Sequence, residues 1–146
     1  MKFFIPSLLL SVLVVTTHAQ DSCKGKTSRT IKTYDIRKKL TEQGTFFYSH
    51  KLFWISLCEG FNDSIQIFVN NKLLIEGRAI TNESIGIAKE VIVNFDHLSD
   101  KKIMQLILVN RNVCLTETLE LNYPFLEINY NNNWQLKYIN HIIKRE

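Results

Sequence analysis

The chain has 146 residues, 45% of them hydrophobic and 22% charged, with a formal net charge of +4. That is apolar material for one core and one domain, and too much for a disordered or low-complexity chain. Three cysteines, none spaced C-x-x-C and none at a metal-ligand interval from a histidine, exclude a recognisable zinc or redox motif.

The chain opens with an address. Lys2 supplies a positive start, Phe3 to Val15 an apolar run, and Thr17-His18-Ala19 the small residues that signal peptidase selects, so residues 1–19 are expected to be a signal peptide cut after Ala19. The apolar run, broken by Pro6, falls short of the roughly 20 residues that span a bilayer, so membrane contact is expected only through an uncleaved signal peptide. The expected product is secreted or periplasmic. After Ala19 the basic excess is concentrated between Asp21 and Lys39, in Lys24, Lys26, Arg29, Lys32, Arg37, Lys38 and Lys39. Such an arm can solvate a flexible lead-in or touch an anionic surface, and nucleic acid is not an expected partner for an exported chain.

Residues 20–44 are expected to form this arm, with a short helix beginning near Thr33 or Tyr34 and stopped by Gly44, or else an extended edge segment. Residues 45–146 are expected to form the domain. Phe46 to Cys58 has the alternation of a strand, with Phe53, Ile55 and Leu57 on one face and Leu52, Trp54, Ser56 and Cys58 on the other. Ile65, Ile67 and Val69 alternate with Gln66 and Phe68, and Asn70-Asn71 can hold the left-handed conformation of a two-residue type I′ turn. In an unbroken hairpin Ile67 faces Leu74 and Phe68 faces Leu73. Further strands are expected over Ile87 to Phe95 and Ile103 to Val109. Two more hairpins turn at Asn110-Arg111-Asn112 and Asn131-Asn132-Asn133. About eight strands at this spacing predict an all-β fold, a single antiparallel sandwich built from hairpins.

Candidate chemistry is sparse. Alternation puts Cys58 and Cys114 on outer faces, where a disulfide between them is expected across one face, with Cys23 left as a thiol. Trp54 lies on a mixed face and is a candidate ligand contact, as are Asp96, His97 and Asp100 in one loop. A calcium loop would bring more oxygen ligands and a glycine at its sharp turn, so no metal site is assigned there. Tyr130, Trp134 and Tyr138 could make a platform for a sugar ring, but they share a face with Leu126, Ile128 and Leu136 and are expected in the core. His50, His97 and His141 sit beside no nucleophile motif, and no catalytic residue and no cofactor is assigned. Asn62-Asp63-Ser64 and Asn82-Glu83-Ser84 read as glycosylation acceptors in a host that glycosylates. The expected function is therefore a non-catalytic binding domain for a protein or glycan partner. A structural or assembly module of the cell envelope and a small secreted hydrolase are the alternatives.

Overall fold

The computed structural model describes residues 29–36, 41–95 and 101–141. The expected signal peptide, Cys23 and the Asp96, His97 and Asp100 group lie outside them. Among the described residues, alternating apolar runs bounded by Asn-rich and Gly-rich turns form nine strands, with one helix. In chain order these are β1 (Thr30–Asp35), α1 (Glu42–Ser49), β2 (Leu52–Leu57), β3 (Asn62–Val69), β4 (Lys72–Ile80), β5 (Lys89–Asn94), β6 (Ile103–Leu108), β7 (Val113–Thr118), β8 (Phe125–Tyr130) and β9 (Trp134–Ile139).

The strands make two sheets, ordered β1-β9-β8-β2-β5 and β4-β3-β6-β7, whose inner faces share one core. Phe53, Ile55, Leu57, Leu126, Ile128, Trp134, Leu136 and Tyr138 meet Ile65, Ile67, Met104, Leu106, Leu108 and Leu115 across it. The chain is thus an all-β sandwich. Pairing is mainly antiparallel, but β1 beside β9 and β2 beside β8 are parallel. The aromatic face of Tyr130, Trp134 and Tyr138 is core, as alternation requires.

Local chemistry explains the turns. Asn70 and Asn71 have φ of 47° and 65°, the left-handed pair that closes a type I′ hairpin. Phe68 then pairs with Leu73 as expected, but Ile67 pairs with Ile75. Leu74 is the extra residue of a bulge and packs against the core, which corrects the Ile67–Leu74 pairing. Two further hairpins, β6–β7 and β8–β9, turn through Asn112 and Asn132, at φ 51° and 58°.

Of the two expectations for the arm, the extended edge segment holds over Thr30–Asp35 and the helix lies elsewhere. Thr30–Asp35 is a strand, so the sandwich already begins within the basic arm, and the helix starts after Thr41. Thr41 caps it by accepting from Gly44 N at 3.2 Å, which places Gly44 in the first turn instead of at a stop. Phe46 to Ser49, expected as strand, completes the helix. α1 lies on the outer face of the five-stranded sheet, where Phe47, Phe125 and Ile139 make a second small core with Leu52 and Trp54.

Candidate functional site

The outer face of the five-stranded sheet is half covered. Parallel pairing aligns Trp54 with Phe125 and Ser56 with Glu127 on adjacent strands. α1 seals the first of these rows: Phe47 stacks on Trp54 with centroids 5.8 Å apart and meets Phe125 at 5.0 Å. Beyond the helix the same face opens into a cleft of about 490 Å³ lined by Cys58, Glu59, Ser84, Ile85, Gly86, Glu127 and Asn129. We take this cleft as the candidate site.

Its walls are held by backbone. Cys58 N donates to Ile128 O at 2.8 Å, Tyr130 N to Glu59 O at 3.0 Å, and Glu59 N to the Asn129 side chain at 2.9 Å, so β2 continues against β8 past its regular end. At the turn Gly60 has φ 84°, and a Cβ there would lie 1.7 Å from Tyr130 O, so only glycine lets the two chains approach this closely. Thr81 Oγ1 donates to Cys58 O at 2.8 Å and accepts from Phe61 N at 3.0 Å, clamping the next segment to the same turn. The opposite lip is the tight loop after Thr81. Gly86 N donates to Asn82 O at 2.7 Å and Ser84 N to the Asn82 side chain at 2.9 Å, which presents Ser84 and the exposed Ile85 at the rim. Glu59 and Glu127 give the lining an acidic character, and Ile85 adds an apolar flank.

The structure separates the residues singled out in the sequence. Trp54 is half-buried under α1 and does not line the cleft. Cys58 does line it, at the floor, and remains a thiol whose Sγ donates to Ser56 O at 3.6 Å. The expected Cys58–Cys114 disulfide is not made. Cys58 ends β2 in the five-stranded sheet, whereas Cys114 lies on β7 in the other sheet, so the core stands between them. Among the described residues no group of three or more His, Cys, Asp or Glu side chains is placed to hold a metal ion.

Other polar clusters act as struts. Asp63 is buried inside the sandwich and accepts from Asn110 N at 2.9 Å and Arg111 N at 3.2 Å, pinning the β6–β7 turn, while the Arg111 guanidinium lies 5.4 Å from the Tyr130 ring centroid. Glu117, 5% exposed, accepts from Lys32 Nζ at 2.6 Å and from Tyr138 OH at 3.0 Å. Burial, reinforced by Glu117, raises the Tyr138 hydroxyl well above the usual phenol range. Tyr34 OH donates to Glu120 at 2.6 Å, and that bond is the main cause of its pKa being pushed up to about 12. His141 is buried with Nε2 3.7 Å from Asp35 Oδ2, a carboxylate that also holds Lys137 Nζ at 3.2 Å. These contacts fasten β1 to both sheets.

Sequence reasoning missed the cleft because its lining comes from three separated stretches. Glu127 and Asn129 did alternate against Leu126 and Ile128, which marks an outward polar face. Nothing local marked its contact with the loop at Ser84. Comparison with known proteins returned no matching family model, curated protein or solved structure.

Proposed function

We propose that the chain is an exported, non-catalytic binding domain that takes a segment of a protein partner in the cleft between the Cys58-Glu59 turn, β8 and the Ser84–Gly86 lip. The observation that carries it is the lining: two carboxylates, an amide and a hydroxyl converge in one open cleft beside an exposed isoleucine. Carboxylates accept from basic side chains and backbone N–H groups, and Ile85 offers apolar contact, a pairing suited to a mixed basic and apolar peptide. A glycan is the weaker fit, because none of the lining residues is aromatic and the ring expected to stack a sugar, Trp54, is covered by α1. A hydrolase is weaker still, since the lining brings no imidazole to the Cys58 thiol or the Ser84 hydroxyl. An assembly role finds support in β5, an edge strand carrying the exposed Ile92.

The test is a library of immobilised basic and apolar peptides, with a glycan array beside it, probed with the full exported chain. Selected peptides should bind, and the double variant Glu59→Lys, Glu127→Lys should weaken that binding at least tenfold with no change in melting temperature. Selection of glycans alone, or peptide binding that the double variant leaves intact, would remove the cleft as a peptide site. Concentration-dependent self-association lost on Ile92→Lys would favour assembly.

A further inference from the structure

We propose that two copies of this chain join edge to edge through β4, antiparallel about Gly77, so that their four-stranded sheets run on as one. β4 has 9 residues, and among the described residues β3 is its one strand neighbour. A long edge is ordinarily shortened, charged or bent away, because its free N–H and C=O groups invite another strand. Here the bend is the bulge at Leu74, near the turn, which leaves Ile75 to Ile80 in unbroken register with β3. On the opposite side of the sandwich the two sheets are tied together, by Lys32 on Glu117 and Tyr34 on Glu120.

Backbone direction sets the geometry. Thr81 N donates to Phe61 O at 2.9 Å, so alternation along the antiparallel ladder turns the N–H and C=O of Gly77 and Ala79 toward β3 and those of Glu76, Arg78 and Ile80 outward. A second β4 laid antiparallel with Gly77 on the two-fold axis sets Glu76 opposite Arg78 of the other copy on both sides of that axis. Each is a hydrogen-bonded pair that exchanges both N–H···O bonds. The glycines meet at the axis as a non-hydrogen-bonded pair, where Cα atoms approach to about 4.5 Å and side chains crowd most. Such a contact uses the same patch on both copies, so it closes at a dimer.

Side chains select this register. Glu76 and Arg78 are exposed on the outer face, one residue to either side of the glycine. Moving the axis by one residue sets Glu76 opposite Glu76 of the other copy, or Arg78 opposite Arg78, and like charges directly opposite are destabilising. Arg78 Nη2 donates to Asn62 Oδ1 at 3.3 Å, and a guanidinium has five N–H groups, so donors remain for a carboxylate across the axis. On the inner face the half-buried Ile75 stands opposite the small Ala79 of the other copy, and at the end of the pairing the exposed Ile80 stands opposite Leu74.

Sedimentation velocity of the exported chain over a range of concentrations tests the contact. Expected is a reversible equilibrium between monomer and dimer. Glu76→Arg and Arg78→Glu, each of which sets like charges across the axis, should each weaken the dimer by about tenfold or more, and the double variant Glu76→Arg, Arg78→Glu should restore it. Both positions are exposed, so melting temperatures measured where the chain is monomeric should not change. A chain that is monomeric at every concentration, a dimer that either single reversal leaves intact, or one that the double variant fails to restore would overturn the pairing. Loss of the dimer on Ile92→Lys, with no effect of the reversals, would overturn it in favour of a contact at β5.

Discussion

Two neighbouring rows on one sheet face have opposite fates. In the first, Ile92, Trp54, Phe125 and Ile139 stand side by side across β5, β2, β8 and β9, and α1 lays Phe47 over its centre. In the next, Glu90, Ser56, Glu127 and Lys137 occupy the same four strands. No helix reaches them, and the cleft opens. The covering element and the side chains beneath it match at the centre: Trp54 and Phe125 lie under α1, while Glu127 faces the cleft. A sandwich needs only its inner faces to fold, so two rows of one outer face can differ in what covers them.

That contrast can be broken from either side. The largest effect is expected at the cleft's own turn, where Gly60→Ala combines a positive φ with a Cβ overlapping Tyr130 O. A loss of about 4 kcal/mol in urea unfolding is expected, because the strain of φ and the displacement of β8 add. A loss below about 1 kcal/mol would mean that the turn moves freely and that the cleft wall is not fixed.

Next comes the covered row. Phe47→Ala removes the ring between Trp54 and Phe125 and should cost about 3 kcal/mol, with Trp54 emission shifting to the red as water enters. Unchanged emission would contradict the sealing role of α1. In the other sheet, Asn71→Val should cost about 1–2 kcal/mol because a β-branched residue is forced to positive φ, whereas Asn71→Gly should be neutral or slightly stabilising. Equal urea midpoints for the two variants would refute the turn.

The smallest effect concerns pH. The Tyr34 hydroxyl, pushed up to about 12 by Glu120, keeps its proton in the fold where the unfolded chain, near 10, has lost it. Its stabilising share is therefore complete below about pH 10 and fades as pH rises from about 10 to 12. Tyr138, raised by burial, acts in the same direction. Tyr34→Phe should make the decline of stability above about pH 10 shallower, and an unaltered slope would remove Tyr34 from that limb.

The strands were legible where one face is buried and the partner is near. Ile65, Ile67 and Val69 alternate, and the Asn-Asn turn beside them leaves little choice of geometry. α1 was not, because it buries only Phe47 and Gly44, so no apolar stripe announces a helix, and its run of aromatics imitates a strand. β1 was legible only as one of two options, a helix or an extended edge segment, for another reason. Most of its side chains are exposed, and what holds it is a ladder to β9 with Lys32 and Tyr34 reaching distant glutamates. The disulfide was misjudged because alternation gives the face a cysteine points to but not the sheet it belongs to. The candidate site failed in the same way, since which loop stands over Glu127 is a property of the assembled sheet.

The parallel ladder between β1 and β9 also sets an order of events. The first described strand has as its neighbour the last, so its hydrogen bonds close the longest loop available to the domain. β3, β4, β6 and β7 can pair as hairpins and a neighbour while later segments are still being synthesised. β1 must wait until Ile139 has emerged, and until then its ladder edge is unpaired and Glu117 lacks both Lys32 and the Tyr138 hydroxyl. Pairing of β1 with β9 is therefore expected to come last in a growing chain, and a chain interrupted before β9 leaves Glu117 without the Tyr138 hydroxyl.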